Sequence, residues 1–287
     1  MKARRVIRHA IVFGVVMLAA VITDALAGLV EAQGRLEARY SATLGGVPFG
    51  KGAWLLDVRE DQFTAAVNGA TAGVLRVFAS GSGESAARGT VSHGQPVSQT
   101  YASTIATDKK YDEVRILMSG GNVKEYIAEP PTLQTPNRVP VTEAHRRGVS
   151  DPMTAALIRV PGNGDTFVPE ACQRTLSIFD GRMRYDLQLV YKRLDKVKSE
   201  KGYQGTVVVC TVRFSPVAGH IPERPVIKYL AETRDMEIWL APIAGTRLMV
   251  PYRISIPTPL GLGIVEANQF VSLPQPARPA ATGARTQ

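Results

Sequence analysis

The chain has 287 residues, of which 45% are hydrophobic, and its formal net charge at pH 7 is +9. This length can bury a full core and suits one large β domain or two small ones. The basic residues are scattered rather than clustered, which argues against nucleic-acid binding; a mild basic excess serves solubility or suits an anionic surface.

The first 27 residues follow the order of a secretory signal peptide. A basic start at Lys2–Arg8 is followed by an uncharged, mainly apolar run, Ala10–Thr23, and by the small residues Ala25 and Ala27. We therefore predict cleavage after Ala27 and a periplasmic location. The alternative is a retained anchor, but a membrane span needs about 20 apolar residues. We expect no transmembrane span after cleavage.

Apolar and polar residues alternate with a period of two along much of the remaining chain. Leu36, Ala38 and Tyr40, for example, are separated by charged residues. This alternation is typical of a strand with one buried face. We predict strands, in chain order, at 36–44, 52–58, 62–68, 97–104, 111–118, 122–128, 172–179, 183–191, 206–215, 236–241, 248–256 and 262–270.

Glycine, asparagine and aspartate separate these runs and predict tight turns. Gly45-Gly46, Asn68-Gly69 and Asp180-Gly181 are typical of hairpins. We interpret the small residues Gly81–Ser85 as a turn as well. Short connections without intervening helices imply antiparallel pairing. The predicted fold class is mainly β: a large curved antiparallel sheet or half-barrel with one or two short helices.

A proline-rich connection and a short helix, at about 129–161, interrupt the strands. Asp151 suits the N-cap of this helix and Pro152 its first position. The apolar residues that would share one helical face are Met153, Ala156, Leu157 and Val160. A second helix candidate lies at 71–80, where a strand is the alternative.

The domain boundaries follow from these patterns. We predict a single β domain at 28–273 with the connection as an insertion; two subdomains remain an alternative. The segment 274–287 is rich in proline, alanine and arginine, a composition typical of a disordered tail.

Cys172 and Cys210 are the only cysteines of the chain. In an oxidising compartment, two cysteines most simply form one disulfide. Each thiol lies on the apolar side of a predicted strand, and the strand at 183–193 separates them, so they can meet in the core. The alternative is two unpaired buried thiols, since free cysteine is often buried.

The sequence contains few candidate catalytic or metal-binding residues. His93, His145 and His220 remain after cleavage, and none has a metal-ligand partner at short spacing. The G-x-S-x-G signature of serine hydrolases is missing from the sequence. We therefore predict no metal site and no cofactor, and the catalytic residues, if any, stay unknown.

Charged clusters are interpreted as solvated surface. The carboxylate pairs Glu60-Asp61, Asp112-Glu113 and Asp235 with Glu237 fall at predicted strand ends or turns. The basic run Lys192–Lys201 suits the tip of a long hairpin, with binding of anionic lipid headgroups as the alternative. Tyrosine and tryptophan at strand positions, including Trp54 and Trp239, favour packing over ligand contact.

Several longer stretches resemble exported alphaproteobacterial proteins of the domain-of-unknown-function family 3108. The resemblance covers roughly 35–270 and rests on the runs Thr71–Gly81, Asp108–Arg115, Gly121–Tyr126, Asp151–Ala155, Phe179–Leu187, Pro216–His220 and Trp239–Arg247. It implies an envelope location and a largely β fold, similar to the half-barrels of outer-membrane lipoprotein carriers. It implies no catalytic residues.

A wide curved sheet with little helix to cover it leaves an apolar face that something must fill. Our leading hypothesis is a periplasmic binding module that holds an apolar ligand, a lipid or an envelope partner on this face. The alternative is a structural or assembly protein of the envelope. A hydrolase that uses His145 or His220 is less favoured. The sequence predicts no oligomeric state.

Overall fold

The computed structural model describes residues 33–73, 80–108 and 110–275. The predicted signal peptide, the tail beyond Gln275 and most of the helix candidate at 71–80 lie outside these ranges. Seven strands precede the long connection: β1 (Gly34–Leu44), β2 (Val47–Val58), β3 (Gln62–Thr71), β4 (Gly81–Ser92), β5 (Gln95–Thr107), β6 (Tyr111–Ser119) and β7 (Asn122–Glu129).

The remaining strands lie in the connection or after it. They are β8 (Ile158–Arg159), β9 (Arg174–Phe179), β10 (Arg184–Lys198), β11 (Lys201–Gly202), β12 (Gln204–Ala218), β13 (Met236–Pro242), β14 (Leu248–Thr258) and β15 (Gly261–Pro274). The helices of the described ranges are α1 (Pro152–Ala155) and α2 (Pro225–Glu232), with single 3₁₀ turns at Ala144–Arg146 and Pro169–Ala171. In the described ranges every helix is too short or too polar to cross a bilayer.

All fifteen strands of the part of the chain that the structure describes belong to one sheet, which confirms the predicted fold class. The order is β7-β6-β5-β4-β3-β2-β1-β15-β14-β13-β12-β10-β9, with β11 on β15 and β8 on β14. Neighbours pair antiparallel, apart from the two-residue parallel pairing of β11 with β15. The first and last strands are adjacent, so β1 joins two meanders into one sheet. Ala38 of β1 faces Trp54 on one side and Phe270 on the other.

The main core lies on the side of the sheet that the curl encloses. Its members come from both meanders and include Leu36, Phe63, Val209 and Tyr252, all buried. These residues are the apolar half of the alternating pattern, because successive strand residues point to opposite faces.

The two ends of the sheet are bridged by the connection rather than by direct strand pairing. The amide of Val149 donates to Gly121, in the turn before β7, at 2.8 Å. Ser150 donates to Ser177 of β9 at 2.9 Å and accepts from Phe179 at 3.0 Å. One short extended stretch therefore links the last strand of one meander to the last strand of the other.

A second core lies on the opposite face of the second meander. On β12, Val207 and Val209 belong to the main core, whereas Val208 and Cys210 belong to the second. The segment from Ile158 to Cys172 covers this second core. Cys172 and Cys210 are joined in a disulfide bond, which ties that covering segment to the sheet.

The helix in the connection is shorter than predicted. Asp151 is its N-cap and Pro152 its first residue, as expected, but α1 has only four residues. Met153 and Leu157 enter the main core, whereas Val160 enters the second core. The prediction of one apolar helical face was wrong, because the helix ends at Ala155 and Ile158 pairs with Met249 of β14.

Other expectations also need correction. Gly81–Ser85 is not a turn but the start of β4, and Asn68-Gly69 lies inside β3. These strand positions were not predicted because glycine has a low propensity for strands. Pairing with the neighbouring strands nevertheless tolerates it. Cys172 ends a 3₁₀ turn, and its strand begins two residues later at Arg174. Helix α2 was missed.

The carboxylate of Asp151 is completely buried and accepts four hydrogen bonds. The backbone amides of Met153 and Thr154 donate to it at 2.9 Å. The hydroxyl of Thr154 donates at 2.5 Å, and the hydroxyl of Ser98 on β5 donates as well. The residue therefore caps α1 and anchors it to the inner face of the sheet.

We predict that Asp151→Ala lowers the free energy of unfolding by about 2–4 kcal/mol, because a helix cap is lost and buried donors are left without an acceptor. Urea denaturation measures this. The matched variant Ser98→Ala removes one donor and should cost about 1 kcal/mol. A loss below about 0.5 kcal/mol for Asp151→Ala would contradict this anchoring role.

Candidate functional site: an apolar cavity beside helix α1

A cavity of about 330 Å³ remains between the inner face of the sheet and helix α1. The first meander contributes Tyr40, Trp54, Val67, Ser85 and Tyr101. The helix and its end contribute Pro152, Met153 and Ala156, and strands β14 and β15 contribute Pro251, Arg253, Ile254 and Val265. Its lining is predominantly apolar, as in small-molecule sites of proteins.

Most polar groups that line the cavity are already hydrogen-bonded. The hydroxyl of Tyr40 donates to the Pro251 carbonyl at 2.8 Å. Burial, helped by the nearby Tyr252, raises the pKa of Tyr40, so this hydroxyl keeps its proton. The hydroxyl of Ser85 donates to that of Ser103 at 2.9 Å.

Two nitrogen atoms of the lining residues are exceptions. Trp54 Nε1 and Arg253 Nε are both buried, and neither has a hydrogen-bond partner. Trp54 as a whole residue is 6% exposed, and neither nitrogen atom is accessible to a water molecule, whether from bulk solvent or from the cavity. Orphaned buried donors are rare in folded proteins, and each calls for an explanation.

A network of charged and aromatic side chains fixes Arg253 at the cavity wall. Its guanidinium carbon lies 4.8 Å from the centre of the Trp239 ring, and that of Arg193 lies 5.2 Å from the same ring. The indole N–H of Trp239 donates to Glu237 at 2.8 Å. Arg253 Nη1 is 3.6 Å from Glu266, which is too long for a hydrogen bond.

Glu237 holds this network together. Burial alone would raise the pKa of its carboxyl, but hydrogen bonds from Lys192, Trp239 and Arg193 outweigh that effect and lower the pKa from 4.5 to about 2. Lys192 donates at 2.7 Å and Arg193 at 3.2 Å. The carboxylate therefore stays charged through the physiological range and orients Trp239 beneath Arg253.

A larger groove, of about 780 Å³, lies against the first meander. Leu55, Leu117 and Ile127 line it and are about half exposed, between 46% and 57%. Cross-strand neighbours Ala66, Ala86 and Ala102 lie between them. The groove therefore has an apolar floor that is open to solvent.

The structure does not bring the predicted histidines together with carboxylates. Within the described residues, no three His, Cys, Asp or Glu side chains come together as a metal site requires. His145 Nδ1 accepts from the Thr142 amide at 3.2 Å. His220 is buried, and its Nδ1 has no partner; burial lowers its pKa, and a hydrogen bond with the Ala218 backbone offsets this in part.

The basic run at Lys192–Lys201 is not simply the solvated tip of a hairpin. Lys192 and Arg193 lie in the middle of β10 and bind Glu237 of β13. Glu237 lies at the start of β13, near a strand end as predicted, but it is not a solvated acid, because it pairs with Lys192 and Arg193. Both errors arose because the sequence does not show which strand lies beside which.

The cavity residues were mostly missed in the sequence. Trp54 and Tyr40 were interpreted as core, and the only available signal was that both carry a polar group on a buried strand face. Arg253 occupies an ordinary polar position between Tyr252 and Ile254. Only the tertiary structure shows that it reaches the cavity.

A family model matches residues 39–267, which is most of the chain. The chain belongs to the family described as Protein of unknown function (DUF3108). The resemblance to this family that the sequence suggested is thereby confirmed.

Among solved structures, this DUF3108 chain is similar to a beta-barrel-like protein of the domain of unknown function DUF1849 from Brucella abortus. The two are 9% identical, the match covers 84% of this chain and 98% of the other, and the TM-score is 0.45. A comparison with curated proteins found no match.

We predict that Glu237 makes the DUF3108 chain sensitive to acid. Because the folded pKa lies below the ordinary value, the stabilisation is complete above about pH 4.5 and is lost as pH falls towards 2. The wild-type chain should therefore be more stable than Glu237→Gln at pH 6, and this difference should shrink steadily below pH 4.5. Thermal unfolding at several pH values measures it; a difference independent of pH would contradict the prediction.

Proposed function

We propose that the protein is an exported, periplasmic binding module that holds an apolar ligand in the cavity beside α1. In this proposal, residues 1–27 are a cleaved signal peptide, and residues 28–273 form a single β domain. The observation that carries it is an apolar cavity that remains beside α1 on the enclosed face of the sheet. Met153 of α1 packs into the main core and still leaves this space beside it.

The size of the cavity supports a small ligand or one chain of a lipid. Its volume lies at the lower end of the range of about 300–1,000 Å³ that is typical of small-molecule sites. At about 30 Å³ for each water-sized group, 330 Å³ holds roughly eleven heavy atoms. An apolar space of this size favours an apolar occupant, because each methylene transferred from water gains about 0.8 kcal/mol.

The disulfide between Cys172 and Cys210 supports export, since such bonds persist in oxidising compartments. It fixes the covering segment on the second core and leaves the cavity on the opposite, enclosed face unobstructed.

A second candidate function is docking of an envelope protein without a ligand. The half-exposed Leu55, Leu117 and Ile127 in the groove on the first meander favour it, because apolar groups gathered on a surface often mark interaction sites. This role does not require the cavity, so the same experiment separates the two functions.

We predict that 1-decanol binds the detergent-free protein and that Ala156→Phe reduces its affinity at least tenfold, because the added ring occupies most of the cavity. Ala156 lines the cavity and is only partly exposed. Isothermal titration calorimetry measures the affinity. A matched control, Ala102→Phe, adds the same ring to an exposed residue of the groove and should leave the affinity unchanged.

Two outcomes would contradict the ligand-binding function. Either wild-type protein shows no binding of 1-decanol, or the two phenylalanine variants bind it as well as wild type does. Loss of binding in Ala102→Phe alone would instead place the apolar site in the groove and favour the docking function.

A further inference from the structure

We propose that one rim of the sheet docks on a bilayer surface that contains anionic phospholipids, and that Val47 and Leu260 insert into it. Both residues lie at hairpin tips. Val47 follows the turn between β1 and β2, and Leu260 lies in the turn between β14 and β15. The inference goes beyond the proposed function, because it does not require a ligand in the cavity.

The two hairpin tips expose apolar side chains to solvent. Leu260 is 79% exposed, more than any other large apolar residue in the ranges that the structure describes. Val47 and Leu262 are 46% and 40% exposed, and Pro48 and Pro259 are exposed as well. Exposed apolar groups gathered on a protein surface often mark a site of protein or membrane interaction.

Hydrogen bonds hold the two tips side by side in one conformation. The amide of Gly45, in the turn before Val47, donates to the Leu262 carbonyl at 2.9 Å. In the other turn, the Thr258 hydroxyl donates to the Gly261 carbonyl at 2.7 Å and accepts from the Leu260 amide at 3.2 Å. The turn itself therefore fixes the backbone that exposes Leu260, and little further ordering is needed when the side chain enters a bilayer.

The charge of the tips suits anionic head groups. No aspartate or glutamate occurs at 38–56 or at 254–265, so neither tip carries a carboxylate that would repel phosphate. The exposed Lys51 lies four residues after Val47 and forms no ion pair with any described residue. A lysine beside an anionic membrane surface strengthens binding. A projecting leucine also needs a matching pocket in a protein partner, whereas a fluid bilayer accepts it directly.

The opposite rim of the sheet has a different character. The turns between β2 and β3, β4 and β5, and β6 and β7 lie there, and they contain Arg59–Asp61, His93-Gly94 and Gly120-Gly121. None of these turns carries a large apolar side chain. The difference between the two rims favours one orientation, with the tips of Val47 and Leu260 towards the bilayer.

This orientation brings the cavity beside α1 close to the bilayer. Val265 lines that cavity and lies three residues along β15 from Leu262, which is about 10 Å in a strand. A docked protein would therefore hold the cavity near the source of any apolar ligand that the bilayer contains.

The test measures co-sedimentation of the protein with vesicles of phosphatidylcholine and phosphatidylglycerol, the mixed vesicles. Leu260→Ser should weaken binding of the mixed vesicles about tenfold, because a leucine side chain no longer leaves water. The matched control is Leu273→Ser, which removes the same type of exposed side chain at the other end of β15 and should bind as wild type does.

The protein is purified after export, and intact mass shows whether the apolar run at 10–23 is still attached. All variants share the same N-terminus, so a difference between them reports on the substituted residue.

Two further variants test the charge and the bilayer itself. Lys51→Gln should weaken binding of the mixed vesicles about fivefold and leave binding of phosphatidylcholine vesicles unchanged. Its charge-matched control, Lys198→Gln on β10, changes another exposed lysine and should bind as wild type does. Leu260→Trp should bind at least as tightly as wild type, because indole rings favour the membrane interface, whereas a pocket shaped for leucine would reject it.

The inference is wrong if wild-type protein does not bind the mixed vesicles, or if Leu260→Ser binds them equally well. An equal loss in Leu273→Ser or Lys198→Gln would also contradict it, because binding would not depend on the tips. If free protein dimerises and Leu260→Ser abolishes only the dimer, the tips belong to a contact between two copies instead. Binding of 1-decanol in the cavity is measured without vesicles, so failure of this inference is distinguishable from failure of the proposed function.

Discussion

The structure depends on a few backbone hydrogen bonds that join the two ends of a very wide sheet. Fifteen strands in one sheet would leave a broad apolar face open, and direct pairing of β7 with β9 does not close it. Instead, Val149 and Ser150 bond to both ends. Asp151 follows at once and directs α1 inward, so the residues that close the sheet also determine what fills its enclosed face.

The cavity is the consequence of this arrangement. A helix of four residues is too short to fill the space that the curled sheet encloses, and its last turn leaves Ala156 beside open volume. Around that volume the protein satisfies Tyr40 and Ser85 internally but leaves donors of Trp54 and Arg253 unmatched.

Local patterns predicted most of the strands, the antiparallel pairing and the cap at Asp151, since each depends on neighbouring residues. The glycine- and serine-rich β4 was missed because its residues have low strand propensity and are held by β3 and β5. The partners of Glu237 and the position of Arg253 depend on which strands are adjacent. The alternation of apolar and polar residues along one strand does not show which strands lie beside it. The family assignment shows which family the chain belongs to, but it assigns no activity and no site residues.

Native-state hydrogen exchange at Val149, Ser150 and Phe179 tests the central claim most directly, because their amides form the bridge between the sheet ends. Closure by this segment predicts that these three amides exchange as slowly as those of the paired strands β1 and β12, and that Asp151→Ala accelerates them more than it does the strands. Exchange of the three amides at the rate of an open loop in the wild-type chain would contradict the account.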